Sequence, residues 1–359
     1  MHSTHSMNRR LAVLAALLAI VLLAASCGGD TTGSTDALVS IGAGLGGPKG
    51  LTATVYAQGP TKVSAFAVDS SGRLWLATAD STDNGQDGVY LVAQSGAAAV
   101  KVVKDLHTAL GLVWHDDVLY VASKERVDAY TGFDGTAFAD HHTVLTLPAG
   151  VGESNGLVMS PDGHLLLGIS APCDHCTPTS TSSAAIVSFR PNGTDLTTYA
   201  SGIRAPVGLT YYPGTSNLLV SMNQRDDLGE ETPGDWLAEV TQGQNWGFPD
   251  CYGQSGTGCA DQPQPVAVLD QHAAVGGVGI VTGQLGTTVG NSALVAEWAG
   301  GAVKRVALTI DGSTYTGTVH PFLTGFTNPV PVLTAPDGSV FVGDWTTGTI
   351  YRIAGSTTA

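Results

Sequence analysis

Six times along this chain a short apolar strand runs into a Gly/Asp/Asn turn and returns as a second alternating strand. The copies start at Ser64 ("SAFAVDSSGRLWLATA"), Gly111 ("GLVWHDDVLYVAS"), Gly156 ("GLVMSPDGHLLLGIS"), Gly208 ("GLTYYPGTSNLLVSM"), Gly279 ("GIVTGQLGTTVGNSALVAEW") and Val332 ("VLTAPDGSVFVGDW"). Each is a hairpin signal. A third strand follows each one: "GVYLVA", "RVDAYT", "AIVSFR", "LAEVTQ", "AVKRVAL" and "TIYRIA". Fourth strands follow in places, as in "LTTYASG" and "HPFLTGF". A four-stranded unit returning mostly every ~45–50 residues is the signature of blades around an axis. The fold class is therefore all-β, a six-bladed β-propeller of four-stranded blades. The last copy lacks a fourth strand. "LTATVYAQGP", ahead of the first copy, has the pattern to supply it, so the N-terminal strand is expected to close the ring and remove free sheet edges. The propeller is assigned to residues 48–356.

The N-terminus reads as a processing segment. Arg9 and Arg10 precede the apolar run "LAVLAALLAIVLLAAS", which ends at Cys27 and gives way to the polar "GGDTTGSTD". Residues 1–27 resemble a bacterial lipoprotein signal with Cys27 as the lipidation site, although Ala24 stands where such signals usually carry Leu. Residues 28–47 are expected to be a flexible linker. No other segment approaches the ~18 apolar residues of a membrane span. The expected location is outside the cytoplasm, on a lipid anchor.

The remaining cysteines fit export. Cys173 and Cys176 lie in "APCDHCTP", Cys251 and Cys259 in "DCYGQSGTGC". Two local disulfides are the simple account. A zinc half-site using His175 is the rival for "CDHC", but it lacks a second CxxC. The balance of 30 acidic against 15 basic residues, a formal charge of −15, excludes nucleic acid as an expected partner. The adjacent His141 and His142 point to opposite faces of a strand, which argues against a shared metal.

Linkers from a fourth strand to the next first strand converge at one end of a propeller. Equivalent linker positions give a candidate ring of Thr61, His107, Gly152, Arg204, His272 and Asn328. A cation and two imidazoles around one mouth suit a small-molecule site, and an inward Arg204 needs an anionic partner. A second concentration of charge is "NQRDDLGEETPGDW", Asn223 to Trp236, in a chain with only 13% charged residues.

The stretch Ala184–Gly253, with "RDDLGEE" followed by "NWGFP", resembles the glucose/sorbosone dehydrogenase family. The likeness continues in "SPDGHLLLGISAPCDHC", "QHAAVGG", "PFLTGF" and "APDGSVFVGDWTTGTIYRI", and so covers most of the chain after residue 60. The resemblance implies a quinoprotein-type propeller using pyrroloquinoline quinone and calcium to oxidise a sugar, with a separate electron acceptor. By it, Arg204 contacts the quinone end, and Asn223, Gln224, Arg225, His272 and Asn328 line the cofactor. The calcium would lie against Gln224, Arg225, Asp226 and Asp227. A tricarboxylate wants Arg and backbone donors, and calcium wants converging oxygens. Three positions at the mouth depart from the family pattern. Gly152 stands where the family has its catalytic His, Ala205 where Asn usually follows the Arg, and Asn328 where an Arg often reaches the cofactor. His107 and Glu153 are the candidate substitute bases. Two other readings stay open: a non-catalytic propeller that binds a carbohydrate or protein partner at the same mouth, and a calcium-dependent lactonase-like hydrolase drawing on Glu153 and Asn155.

Overall fold

The structure, a computed structural model, describes residues 37–80, 82–252, 259–312 and 314–356. The signal segment and Cys27 lie outside the described residues. Among the described residues no helix is long and apolar enough to cross a membrane.

Every blade is built on an antiparallel four-stranded unit, in sequence order in all but the last, and the six-fold reading of the sequence holds. Blade 1 is Val63–Val68, Leu74–Thr78, Asp87–Val92 and Val100–Leu106. Blade 2 is Gly111–His115, Val118–Ser123, Arg126–Phe133 and Phe138–Thr146. Blade 3 is Ser154–Met159, Leu165–Ile169, Ala185–Phe189 and Thr197–Ser201. Blade 4 is Ala205–Tyr211, Leu218–Asn223, Gly234–Val240 and Ala267–Gln271. Blade 5 is Val275–Thr282, Asn291–Glu297, Ala302–Asp311 and Thr314–Thr324. Blade 6 is Pro329–Thr334, Val340–Asp344 and Thr349–Gly355, completed by the N-terminal strand Leu51–Gln58, in which Leu51 pairs with Gly355 and Ala57 with Ile350.

The first strands pack against one another in a closed ring around the axis. That closeness explains the Gly that opens so many repeats. A Cβ on Gly208 would stand 2.8 Å from the Gly276 carbonyl of the next blade, a distance no side chain tolerates. Farther out, the strands are wide enough for large residues, and an apolar cluster fills the space between each pair of neighbouring blades. Between blades 2 and 3, for example, Tyr120, Leu145, Leu165, Leu167 and Phe189 pack as one unit. Alternation places these side chains on both faces of every sheet, which is why the blade strands read as near-continuous apolar runs.

One segment departs from expectation. Residues 39–47, expected as part of the flexible linker 28–47, form a hairpin, Val39–Gly42 and Leu45–Gly47, that joins the outer strand of blade 5 through Gly46 and Thr324. Ile41 and Leu45 are buried with Phe322 and Leu323. Glycines serve its tight turn, since Gly42 and Gly44 both have positive φ. The hairpin covers part of an edge that would otherwise be open.

Candidate functional site

Antiparallel topology puts two kinds of connection at the same end of the ring: the linkers between blades and the turns between second and third strands. The six ring positions all fall in such linkers. So do two long turns, residues 170–184 in blade 3, which carry "APCDHC", and residues 224–233 in blade 4, which carry "QRDDLGEE". Buried acids pin these connections in place. Asp235 accepts hydrogen bonds from the Gln224 amide (2.7 Å) and from the Val275 amide of blade 5 (3.2 Å). Asp87 does the same for Asp80 (3.0 Å) and Thr108 (2.9 Å), and Asp344 holds the Thr327 amide (2.6 Å). Burial pushes the Asp235 carboxyl up to about 7 against the pull of those amides.

Both expected disulfides are formed, Cys173–Cys176 and Cys251–Cys259, and the zinc reading of "CDHC" gives way to the first of them. The small loop closed by Cys173–Cys176 is aimed at Arg204. The Asp174 carboxylate pairs with the Arg204 guanidinium, and the Asp174 carbonyl accepts from Arg204 Nε at 3.3 Å. The same carboxylate receives the Asp226 amide at 3.0 and 3.1 Å. The backbone is tied as well, by the Ala171 amide on the Arg204 carbonyl (2.6 Å). The long connection after Val240 climbs beside the last strand of blade 3, with Trp246 bonded to Ser201 and Phe248 to Gly202, and delivers Pro249 and Tyr252 to the same place. There His175 bonds the Pro249 carbonyl at 3.1 Å and Arg225 lies over the Tyr252 ring at 4.4 Å. Trp246 is buried against Trp236, so this aromatic packs rather than binds.

A cavity of about 530 Å³ opens at this end, walled by blades 1 to 4. Arg204, Gly152, Glu153, Asn155, Ser170, Cys173 and Asn223 line it from blades 3 and 4, and Asp80, Asp83, Lys124 and Glu125 from blades 1 and 2. Three of its four carboxylates are committed. Asp80 holds the Thr82 amide, Glu125 holds the Gly150 amide at 2.7 Å, and Asp83 pairs with Lys124 and with His107 Nδ1 (2.9 Å). The Lys124 ammonium keeps the Asp83 carboxyl below its ordinary range. The Glu153 side chain has no hydrogen bond or ion pair among the described residues. Asn155 donates to Ser170 Oγ at 2.7 Å, while Asn223 Oδ1 and Ser154 Oγ are buried and unpartnered.

Of the ring, only Gly152 and Arg204 face this cavity. Thr61 is exposed. His107 sits on the rim, 55% exposed, oriented by Asp83. Asn328 is engaged by the Trp298 carbonyl (2.9 Å) and Thr346 (2.6 Å). His272 bonds Asp226 through Nδ1 and the Gly229 carbonyl through Nε2, both at 3.0 Å. Both partners are acceptors, so the imidazolium fits best, and its pKa is raised by the Gly229 carbonyl first and Asp226 second. In the acidic loop Arg225 is buried and paired with Asp227 at 2.6 and 2.7 Å. The carboxylates of Asp226 and Asp227 thus turn to His272 and Arg225 and away from a common point. Among the described residues, no three His, Cys, Asp or Glu side chains gather as a metal site. Asp174 and Asp235 were not singled out from the sequence; Asp174, lying between two cysteines, carried the only available hint.

Residues 154–352 match the family model for glucose/sorbosone dehydrogenase, more than half of the chain. The chain belongs to the glucose/sorbosone dehydrogenase family. No curated protein sequence matches it. Among solved structures, an AA12-family carbohydrate-active enzyme of Trichoderma reesei superposes with a TM-score of 0.72 at 18% identity, covering 90% of this chain and 98% of that one. The PQQ-bound aldose sugar dehydrogenase of Streptomyces coelicolor gives 0.67 at 18%, covering 86% and 99%. The soluble aldose sugar dehydrogenase of Escherichia coli, in its apo form, gives 0.66 at 16%, covering 85% and 99%. At these identities the likeness speaks for the fold.

In this glucose/sorbosone dehydrogenase family member, the lack of a side chain at position 152 has a steric basis. Its φ is +114°, and a Cβ there would run into the Ser170 carbonyl. This backbone leaves no room for a side chain at that position.

Proposed function

We propose that the chain is an exported sugar dehydrogenase of the quinoprotein type, oxidising a sugar hydroxyl with pyrroloquinoline quinone and calcium. The observation that carries the reading is Arg204, which, with the Asp226 amide, already holds one carboxylate, that of Asp174, beside a cavity of ligand size. A pairing that binds an internal carboxylate suits a carboxylate of the cofactor, and the unpartnered Asn223 Oδ1 is an oxygen suited to a cation. The cofactor side would be held by Arg204, Asn223, Gln224 and Arg225. Calcium would lie against Asn223 and the stretch Gln224–Asp227. When bound, the quinone supplies the acceptor for the hydride.

The chain's own part is positioning and proton transfer. Glu153 is the cavity carboxylate with nothing else to hold, and in this reading it takes the hydroxyl proton in place of the missing histidine. Asn155, fixed by Ser170, and Ser154 offer hydrogen bonds to sugar hydroxyls. Arg204 fixes the ligand edge and balances negative charge as it develops. The two disulfides suit an oxidising compartment, in line with export, and Cys27 is the proposed lipid anchor.

The test is a calorimetric titration of pyrroloquinoline quinone into the metal-stripped mature protein, with and without calcium, followed by dye reduction with a panel of aldoses. Calcium-dependent binding and turnover are expected, with Glu153→Gln lowering turnover roughly 10²–10⁴-fold while leaving quinone binding in place. Absence of binding in calcium would sink the reading. That outcome would favour a non-catalytic carbohydrate-binding propeller, which the side-chain-free Gly152 also suits.

A further inference from the structure

We infer that Asp174 is a built-in occupant of the anion site at Arg204, presented by the Cys173–Cys176 loop, and that an anionic ligand must displace it. The inference rests on the reading of Arg204 as a ligand anchor. Four observations meet at one carboxylate. Arg204 is the cation in the wall of the cavity on the side of blades 3 and 4, and its guanidinium is bound to Asp174. The Asp226 amide donates to both Asp174 oxygens, so cation and amide form a two-point carboxylate receptor. The loop bearing Asp174 is closed by a disulfide only three residues long in sequence, which holds the carboxylate near its receptor and lowers the entropy lost in docking it. His175, the other residue inside the bridge, anchors the loop from behind on the Pro249 carbonyl and packs edge-on against Phe248 and Tyr252.

The arrangement sets specificity. A ligand that brings a carboxylate competes with a tethered one at high effective concentration, so weak anions stay out. Only a ligand with further contacts in the cavity opens the site. Asp226 extends the effect, because its carboxylate holds His272 while its amide holds Asp174, and displacement of Asp174 frees one side of the acidic loop.

The probe is citrate, a tricarboxylate that needs neither quinone nor turnover. Isothermal titration at low salt is expected to show Asp174→Asn binding citrate at least about tenfold more tightly than the wild type, and the Asp174→Asn/Arg204→Gln double variant losing that gain. Should Asp174→Asn fail to fold, Cys173→Ser/Cys176→Ser, which unties the loop and keeps the carboxylate, should shift citrate affinity in the same direction. Equal affinity in wild type and variant, or no citrate binding in any of them, overturns the inference. Because citrate replaces quinone, this failure is distinct from failure of the dehydrogenase reading. Quinone binding with unchanged citrate affinity would sink only the gate.

Discussion

Gly152→Ala isolates the steric claim about this linker position. The residue has φ of +114°, in a region that only glycine enters cheaply, so any L side chain there costs ~1–3 kcal/mol of backbone strain. The new Cβ also meets the Ser170 carbonyl, and forcing one extra carbon into a packed place adds ~1–3 kcal/mol. The expected loss is therefore about 2–6 kcal/mol. Gly150, two residues earlier in the same linker, supplies the control. It has φ of +77°, and a Cβ there would find nothing within 4 Å, so Gly150→Ala should lose only the ~1–2 kcal/mol of a left-handed residue. Urea unfolding of the two variants and the wild type, analysed at a common m-value, measures the difference. Gly152→Ala should be at least about 1 kcal/mol worse than Gly150→Ala. Equal losses, or an undiminished Gly152→Ala, would refute the reasoning. The linker would then relax freely, and steric exclusion would no longer account for the absence of a side chain beside Glu153.

Other expectations concern pH and the bridges. The His272 pKa is raised in the folded protein, so its clasp on the acidic loop is complete below the ordinary histidine value of ~6.5 and is lost as pH climbs through the raised value. Hydrogen exchange of residues 226–231 should accelerate over that window in the wild type and show no such step in His272→Gln. Burial pushes the Asp235 carboxyl up to about 7 in the folded protein from its ordinary 3.8, so the folded state binds the extra proton between these values. Stability should fall as pH rises across that range, by at most ~1.4 kcal/mol per pH unit, and Asp235→Asn should flatten the slope in urea titrations. The Cys251–Cys259 bridge spans eight residues, and chain entropy assigns it roughly 2.5 kcal/mol. Cys251→Ser/Cys259→Ser should lose about that much, and thiol titration of the unfolded, unreduced mature protein should find no free thiol from the four bridge cysteines.

The ring was legible because its physics is local and repeated. A hairpin needs only alternation and a turn, and six hairpins at a near-constant period have few ways to bury both faces. The closing strand was legible for the same reason, since "LTATVYAQ" alternates and the last blade lacks a partner. "VSIGAGLGG" does not read as a hairpin because its strands are only three or four residues long and it has as many glycines as apolar residues. What makes it a hairpin is Phe322 and Leu323, nearly three hundred residues away. The ring of six linker positions followed from topology, but the direction of each side chain did not. Equivalent backbone positions let Arg204 face the cavity, leave His107 on the rim, and turn His272 onto the acidic loop.

Charge at the mouth shows why pairing had to be seen. The chain has twice as many acids as bases, so a cation at this end is a scarce resource. Arg225 is taken by Asp227, Lys124 by Asp83 and Arg204 by Asp174. Only the first pair is close in sequence, two residues apart; Asp174 lies 30 residues from Arg204 and 52 from Asp226. "RDDLGEE" looks like a cluster of loose carboxylates when read alone, yet Asp226 and Asp227 are both neutralised by partners in the folded ring. An excess of negative charge would repel an anionic ligand from a bare mouth, and an unpaired Arg204 would attract anions without discrimination. A carboxylate fixed on a short bridged loop resolves the second problem, because it keeps Arg204 screened until a ligand with contacts throughout the cavity takes its place.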